Sequence, residues 1–542
     1  MTIHSLPVEI LEKIFHICFR EAEKPLILPD PYGPLETSTQ NHFHAAANAF
    51  PPPHVCTFWR NICSSSPKFN PTLSLHYRHG DDNKKLSVVS YSSRLCAFLR
   101  LTAPHPISIS FQISTKDQYG GNYLHEWYSS EEMVLAIGGT SGLIHILEHH
   151  HRWKSATISI PYPIIPVFFP EDMVFPNLKK LDVHISSSSN DRPDEPGRKL
   201  FGPHCTPNLC VTTFQQDHAW DLTLRWRSSS LIQIIILYSV YIECDDLRAF
   251  KECNSLHTIH FSSCTMLPSF NDVPSVQPII LLPNVNTVSC TWTLPNCYIK
   301  FTPLSFLALP KLRNLQLQWN EGLELEVIKL FERSSFKLET LTLIQAQRGV
   351  YRPPTEQFVS LMTRFSEADL INQSLVGLEL NHTDAKWDVN EFREIMEVLS
   401  LGERSPSSGS GDTQNAGGLN EISQIPHFDR FPFLKQLTIA AYTIPDHSAF
   451  TAMLKSRRRQ SPPSSLISKG QHSSTLLQNS PRDSVGLEIL RLRCSKSAFL
   501  EKQELLNHLE TFSDEGLKLF YDPWVGVSRK NLTLWSHPSY EL

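Results

Sequence analysis

Apolar residues recur at helical spacing twice within the first 75 residues, and beyond residue 170 the recurrence changes to a short strand-like motif that returns many times. The first helical stretch places Ile10, Leu11, Ile14, Phe15 and Cys18 on one face. Pro7 suits an opening turn, and Glu9 sits near the positive end of the helix dipole. This spacing predicts a helix over residues 6–19. The second stretch starts after Pro53, sets Val55, Phe58, Trp59 and Ile62 on one face, and stops in Ser64-Ser65-Ser66-Pro67. Between them, Pro25, Pro29, Pro31, Pro34 and the run Pro51-Pro52-Pro53 forbid one continuous helix. An inserted loop is therefore expected over about 20–53.

The later motif is an apolar residue, Pro, any residue, Leu, two residues, Leu, one residue and a last apolar residue. Its clearest copies are Phe175 to Val183, Leu309 to Leu317 and Phe431 to Ile439. Weaker copies run Cys253 to Phe261, Leu282 to Cys290, Phe336 to Leu343, Ser374 to Leu380 and Val485 to Leu492. The aligned positions Ile259, Val288, Leu315 and Leu341 are 29, 27 and 26 residues apart, and the spacing then stretches to 37 and 59 on reaching Leu378 and Leu437. Periods of that size suit stacked repeats in which Leu-x-Leu turns alternate side chains inward on a short strand. Stacking such units predicts a parallel sheet along a curved solenoid, in all some eight to eleven repeats. Helical spacing at Leu323–Arg333, Thr355–Asp369, Asn390–Leu401 and Ser448–Arg459 supplies helices for the other face. An ordinary α/β or β-rich domain whose strands share Leu-x-Leu is the plainer alternative. Segments rich in Ser, Pro and Gly predict disordered loops at about 186–208, 402–424 and 457–483.

With 542 residues, 41% of them hydrophobic and 19% charged, the chain can build more than one domain. A formal charge of −5 gives no electrostatic footprint for nucleic acid or a membrane surface. Residues 1–5 lack a secretory n-region, and the apolar run Leu231–Ile242, broken by Gln233, is too short to span a bilayer. Twelve cysteines without a paired framework then suggest reduced thiols in the cytosol or nucleus. Lys455-Ser456-Arg457-Arg458-Arg459 reads either as a solvated helix end or as a nuclear address.

No Gly-x-Ser-x-Gly elbow, Walker loop or His-Glu-x-x-His motif is present. His145 and His149 have the i, i+4 spacing of metal ligands but no third partner of defined spacing, so they read as a surface histidine cluster. His204, Cys205 and Cys210 lack the Cys-x-x-Cys spacing of a zinc knuckle. The glycines of Gly138–Gly142 have no phosphate-binding Lys and read as a turn. Asp245 and Asp246 are adjacent and on a strand would point to opposite faces. The expectation is a non-catalytic protein without cofactor or bound metal.

The pattern Leu6-Pro7-x-Glu9-Ile10-Leu11-x-x-Ile14-Phe15, followed by Val55-Cys56-x-x-Trp59-Arg60-x-Ile62 and Ser66-Pro67, resembles the F-box over residues 4–76. The chain departs from that family after Pro67, where Lys68-Phe69 stands in place of Leu-Trp, and in its inserted loop. The later copies resemble the degenerate leucine-rich repeats behind the F-box of many fungal F-box proteins, with Cys264 best matching the closing Asn or Cys of a repeat. The resemblance implies an α/β chain: a helical F-box over 1–76, a connecting or first repeat region over 77–170, and a leucine-rich-repeat-like region over 171–542. It also implies a substrate-recognition subunit of a Skp–cullin–F-box (SCF) ubiquitin ligase. Leu6, Pro7, Ile10, Leu11, Ile14, Phe15, Val55, Trp59 and Ile62 would carry adaptor docking or the F-box core. Through the Skp-type adaptor the chain would meet a cullin, and its repeats would hold a target protein. The alternative is a ligase-independent interaction scaffold.

Overall fold

The computed structural model describes residues 6–21, 26–28, 57–58, 72–78, 96, 99–100, 103, 106–114, 141–161, 173–186, 206–216, 231–238, 240–242, 244–266, 279–291, 302–319, 323–345, 360–365, 371, 373–382, 389–400, 431–441, 444–458, 486–494 and 503–523. The chain divides into two compact units, residues 1–284 with 299–307 and residues 285–298 with 308–542. Each is an α/β arrangement around a parallel sheet.

In the first unit, helix α1 (Val8–Glu21) precedes strands β1 (Leu26–Leu28), β2 (Thr72–Arg78), β3 (Ile107–Ser114), β4 (Trp153–Pro161), β5 (Lys180–Ser186), β6 (Val211–Gln216), β7 (Ile234–Tyr238) and β8 (Thr258–Ser262). Each strand pairs in parallel with the next in sequence. Parallel neighbours need a crossover between them, which here includes α2 (Ser141–Glu148) before β4 and α3 (Cys244–Ala249) before β8. The register stacks Ile109, Ala156, Leu181, Thr212, Ile235 and Ile259 in one row and Phe111, Ile158, Val183, Phe214, Leu237 and Phe261 in the next. Every one of these side chains is buried. Removing each Val, Leu, Ile or Phe among them from water contributes about 1.5–3 kcal/mol relative to exposure.

The second unit repeats the scheme with β9 (Thr287–Thr291), β10 (Asn314–Trp319), β11 (Thr340–Gln345), β12 (Gly377–His382), β13 (Gln436–Ala441), β14 (Ile489–Cys494) and β15 (Lys518–Pro523), again parallel in sequence order. Its inner rows are Val288, Leu315, Leu341, Leu378, Leu437 and Leu490, and Cys290, Leu317, Leu343, Leu380, Ile439 and Leu492, all buried. Helices α4 (Leu323–Ser334), α5 (Val389–Leu399), α6 (His447–Arg458) and α7 (Gln503–Asp514) lie in the crossovers. Phe331 of α4 meets Phe336 with ring centroids 4.6 Å apart, and Phe392 of α5 faces Phe450 of α6 at 6.3 Å.

The Pro in the sequence motif has a local cause. Leu178 N–H donates to Phe175 O, Leu209 to Thr206 O, Leu312 to Leu309 O and Leu434 to Phe431 O, closing the same turn before four strands. Pro176, Pro207, Pro310 and Pro432 occupy its second position, where a fixed φ near −65° is already that of the turn. Neighbouring turns are then stitched together. Asn177 donates from its amide to His151 O at 2.7 Å, Asn208 to Pro176 O at 2.6 Å and Asn284 to Asn254 O at 2.9 Å.

The described elements fall within several of the stretches set out above. The stretch expected as an inserted loop over 20–53 contains β1, paired with β2 through Leu26↔Leu73. The region 77–170, expected as a connecting or first repeat region, contributes β3 and β4 to the same sheet; these alternate Ile with Ser in place of the Leu-x-x-Leu motif. At the ends of the loop expected over 186–208, Ser186 closes β5 and Thr206-Pro207-Asn208 already belong to the next turn. The loop expected over 457–483 begins inside α6, whose last residues are Arg457 and Arg458. Residues 402–424 and the rest of 457–483 lie outside the described residues. Asp245 and Asp246 fall on α3, where successive side chains diverge by about 100° in place of opposite strand faces. Among the described residues no helix is long and apolar enough to cross a membrane.

Candidate functional site

Three surfaces hold the chemistry: helix α1 and the outer sheet face of each unit. In α1 the Pro7 carbonyl accepts N–H bonds from Ile10 at 3.0 Å and Leu11 at 3.1 Å, so Pro7 starts the helix as its missing donor allows. Leu11 is fully buried, while Val8 is 44% and Ile10 40% exposed. Pro7 is exposed, and Leu6 and Ile14 are half-buried. The helix thus anchors itself through Leu11 and leaves Val8 and Ile10 partly in water on the adjoining side. Phe15 belongs to α1, but its side chain, together with Val55, Trp59 and Ile62, lies outside the described residues. Their neighbour Phe58 is 43% exposed.

The outer face of the first unit carries a titratable cluster that no sequence motif marked. Ser159 Oγ and His184 Nδ1 share a hydrogen bond of 2.9 Å across β4 and β5. Asp182 stands two residues before His184 on the same face of β5. Burial pushes the Asp182 carboxyl above its usual range despite nearby Lys180 and His184. The Tyr238 phenol is also raised, first by burial and then by Asp182. A signal was present in the alternation Asp182-x-His184, but only the strand register brings Ser159 beside it.

On the outer face of the second unit, Glu379, Thr438, Arg491 and Phe520 form one row, and Asn381, Ala440 and Arg493 part of the next. Arg493 Nη1 donates to Glu379 Oε1 at 2.9 Å, crossing the small side chains of β13. Burial raises the Glu379 carboxyl, and Arg493 and Arg491 pull it partly back. The Arg491 guanidinium lies 5.0 Å from the centroid of the Phe520 ring, which is itself 43% exposed. Asn381 is only 4% exposed, and its Oδ1 has no hydrogen-bond partner among the described residues.

The histidine cluster is held by structure. His145 Nδ1 is 3.1 Å from Glu148, His150 Nδ1 is 2.7 Å from Leu147 O, and the His149 ring is lowered in basicity first by burial and then by Arg152. Arg152 is buried and donates to Leu99 O at 2.9 Å. Among the described residues no three His, Cys, Asp or Glu side chains gather as metal ligands. Cys264 has its thiol directed at Leu237 O, 3.3 Å away on the preceding strand, and burial pushes that thiol up to about 12. Cys210 is half-buried with its thiol 3.4 Å from Asn208 O. His204, Cys205 and the glycines at 138 and 139 lie outside the described residues. The basic cluster of α6 is not a uniformly solvated end: Arg457 is 1% exposed and donates to Leu399 O and Phe431 O.

No protein-family model matches this chain, and no curated protein matches it in sequence.

Proposed function

We propose that this chain is the substrate-recognition subunit of an SCF-type ubiquitin ligase, built from an F-box-like N-terminal helix and a leucine-rich-repeat-like solenoid. The observation that carries the reading is α1 itself: the Leu-Pro-x-Glu-Ile-Leu motif forms a helix that buries Leu11 and leaves Pro7, Val8 and Ile10 outward for an adaptor. The sheets support the repeat half of the reading. Every described Leu-x-x-Leu-x-apolar unit puts its three apolar positions in the core, and consecutive units pair in parallel within each unit of the chain. Cys264, bonded back to the preceding strand, takes the part of a repeat-closing residue. In this role the chain performs no chemistry. It raises the effective concentration of a target beside the charged conjugating enzyme, in the cytoplasm or nucleus.

Complete burial of Leu11 also suits a second reading, in which α1 serves to cap its own domain and the repeats act as a ligase-independent scaffold. A pull-down on immobilised Skp-type adaptor separates the two. The ligase reading expects the wild-type chain to be retained and a folded Leu6→Ala, Pro7→Ala, Ile10→Ala variant to be lost. Absence of the wild-type chain from the adaptor fraction would sink that reading and leave the scaffold.

A further inference from the structure

Between α2 and β4 the chain makes a single 3-10 turn, His150–Arg152, and this corner joins several parts of the first unit. The buried Arg152 guanidinium donates to Leu99 O at 2.9 Å, which ties the corner to the segment before β3. The His150 ring meets Phe175 edge-on with centroids 5.6 Å apart, and Trp153, fully buried at the start of β4, lies 5.2 Å from the same ring. His151 O accepts from Asn177, so the turn before β5 rests on the corner as well. At its centre is His149, whose Nδ1 is buried and has no hydrogen-bond partner. A neutral imidazole accommodates this by carrying its proton on Nε2 and leaving Nδ1 a bare acceptor. The imidazolium must place an N–H there with no acceptor, and an unmet buried donor is costly. Among the described residues the charged groups acting on His149 are Arg152, His151 and His145, which oppose a charge on it, and Glu148, which favours one. That carboxylate is itself bonded to His145 Nδ1 at 3.1 Å.

We infer that this corner is an acid-released clip: with His149 neutral it fastens the start of β4 to the segment before β3 and to the turn before β5, and protonation of His149 opens it. The other histidines are not the trigger. His150 Nδ1 bonds Leu147 O at 2.7 Å, a contact that an Nδ1–H makes whether or not the ring is charged. His151 is exposed and its ring charge is met by water. His145 gains from acid through Glu148, which keeps α2 formed, so opening begins at His149. Burial first, then Arg152, holds the His149 ring below its ordinary basicity. The opened corner therefore takes up a proton more readily than the closed one. Closure is complete above the ordinary histidine pKa and is lost as pH falls towards the depressed value. The opening is local, since the buried rows of Ile, Val and Phe that hold the sheet carry no titrating group. The device belongs to the first unit and does not depend on the ligase reading.

Amide hydrogen exchange of the full chain, read by mass spectrometry at pH 7.5 and pH 5.5 with labelling times scaled to the intrinsic rate at each pH, tests the proposal. In the wild type, protection of peptides covering residues 149–154 and 177–181 should fall by about tenfold at the lower pH, while β13 of the second unit keeps its protection. His149→Gln and His149→Phe have no titrating group at this position and should hold the corner closed at both pH values. His145→Gln should keep the wild-type fall. Unchanged protection in the wild type, the wild-type fall in either His149 variant, or its abolition by His145→Gln overturns the proposal. Loss of protection by both His149 variants at pH 7.5 overturns it too, because the unpaired ring nitrogen would then be holding the corner and not merely threatening it.

Discussion

Replacing Arg457 with Ala should destabilise the second unit far more than replacement of its exposed neighbour Lys455. Arg457 is 1% exposed; its Nε donates to Leu399 O at 2.7 Å and its Nη1 to Phe431 O at 2.6 Å. Leu399 ends α5, so its carbonyl is one of the groups that a helix terminus leaves without an internal partner. Phe431 opens the turn before β13 at a positive φ of 50°. One guanidinium thus ties the end of one helix to the turn that aims the next strand. Each hydrogen bond to a charged donor is worth about 1.5–3 kcal/mol, and its loss leaves a buried carbonyl unsatisfied. Losing both costs about 4 kcal/mol after partial relaxation. For a unit of this size 1 kcal/mol moves the melting temperature by about 2–4 °C, so Arg457→Ala should melt about 8–16 °C lower. Arg457→Lys should fall between, since one ammonium cannot reproduce the guanidinium fork. The assay is calorimetric melting of the full chain, with Lys455→Ala as the control. An Arg457→Ala transition within about 2 °C of that control would refute the clamp.

Three further outcomes follow from the same geometry. Asp446 caps α6, accepting from Ala449 N–H at 3.0 Å and Ser448 Oγ at 2.8 Å and pairing with Arg393, and these bonds, Ala449 first, hold its carboxyl down to about 2. Because the folded value lies below the unfolded one, its stabilisation is complete above about pH 4 and is lost as pH falls through 2; Asp446→Ala should remove about 1 kcal/mol at neutral pH and flatten that acid limb in a denaturation series. Cys253 and Cys264, both buried with thiols pushed up to about 12, should resist iodoacetamide at pH 8 in the folded chain while half-buried Cys210 reacts, as peptide mass mapping would read; equal labelling of all three would contradict the packing. Leu11→Ala should lower thermal stability by about 2–5 kcal/mol, whereas Ile10→Asp on the exposed side should leave melting nearly unchanged; the reverse order would misplace the helix face.

Much of the parallel sheet was legible because Leu-x-x-Leu-x-Leu is dictated by burial: the first Leu follows a Pro turn and the other two alternate into one face, as at Leu312, Leu315 and Leu317. Residues 323–333, 390–401 and 448–459 were legible as helices for the same reason, and the observed α4, α5 and α6 match them within about two residues at either end. Strands β3 and β4 escaped because Ser alternates with Ile there, a pattern common to many strands and lacking the repeat's turn signature. For that reason the parallel strands among the described residues number eight in the first unit and seven in the second, where eight to eleven repeats were expected in all. Arg457 was misread because a run of like charges is usually solvated, and only tertiary contact reveals a charge spent on buried carbonyls. The Ser159–His184 and Glu379–Arg493 contacts join residues 25 and 114 positions apart, so strand register alone brings them together. On α1 the motif marked the helix, but the division between buried Leu11 and outward Ile10 needed the fold.

The most direct test of ligase membership is calorimetric titration of a purified Skp-type adaptor into the full chain. The account predicts saturable heat at one adaptor per chain for the wild type and none for folded Ile10→Asp. A flat titration for the wild type, or identical curves for both, would contradict it.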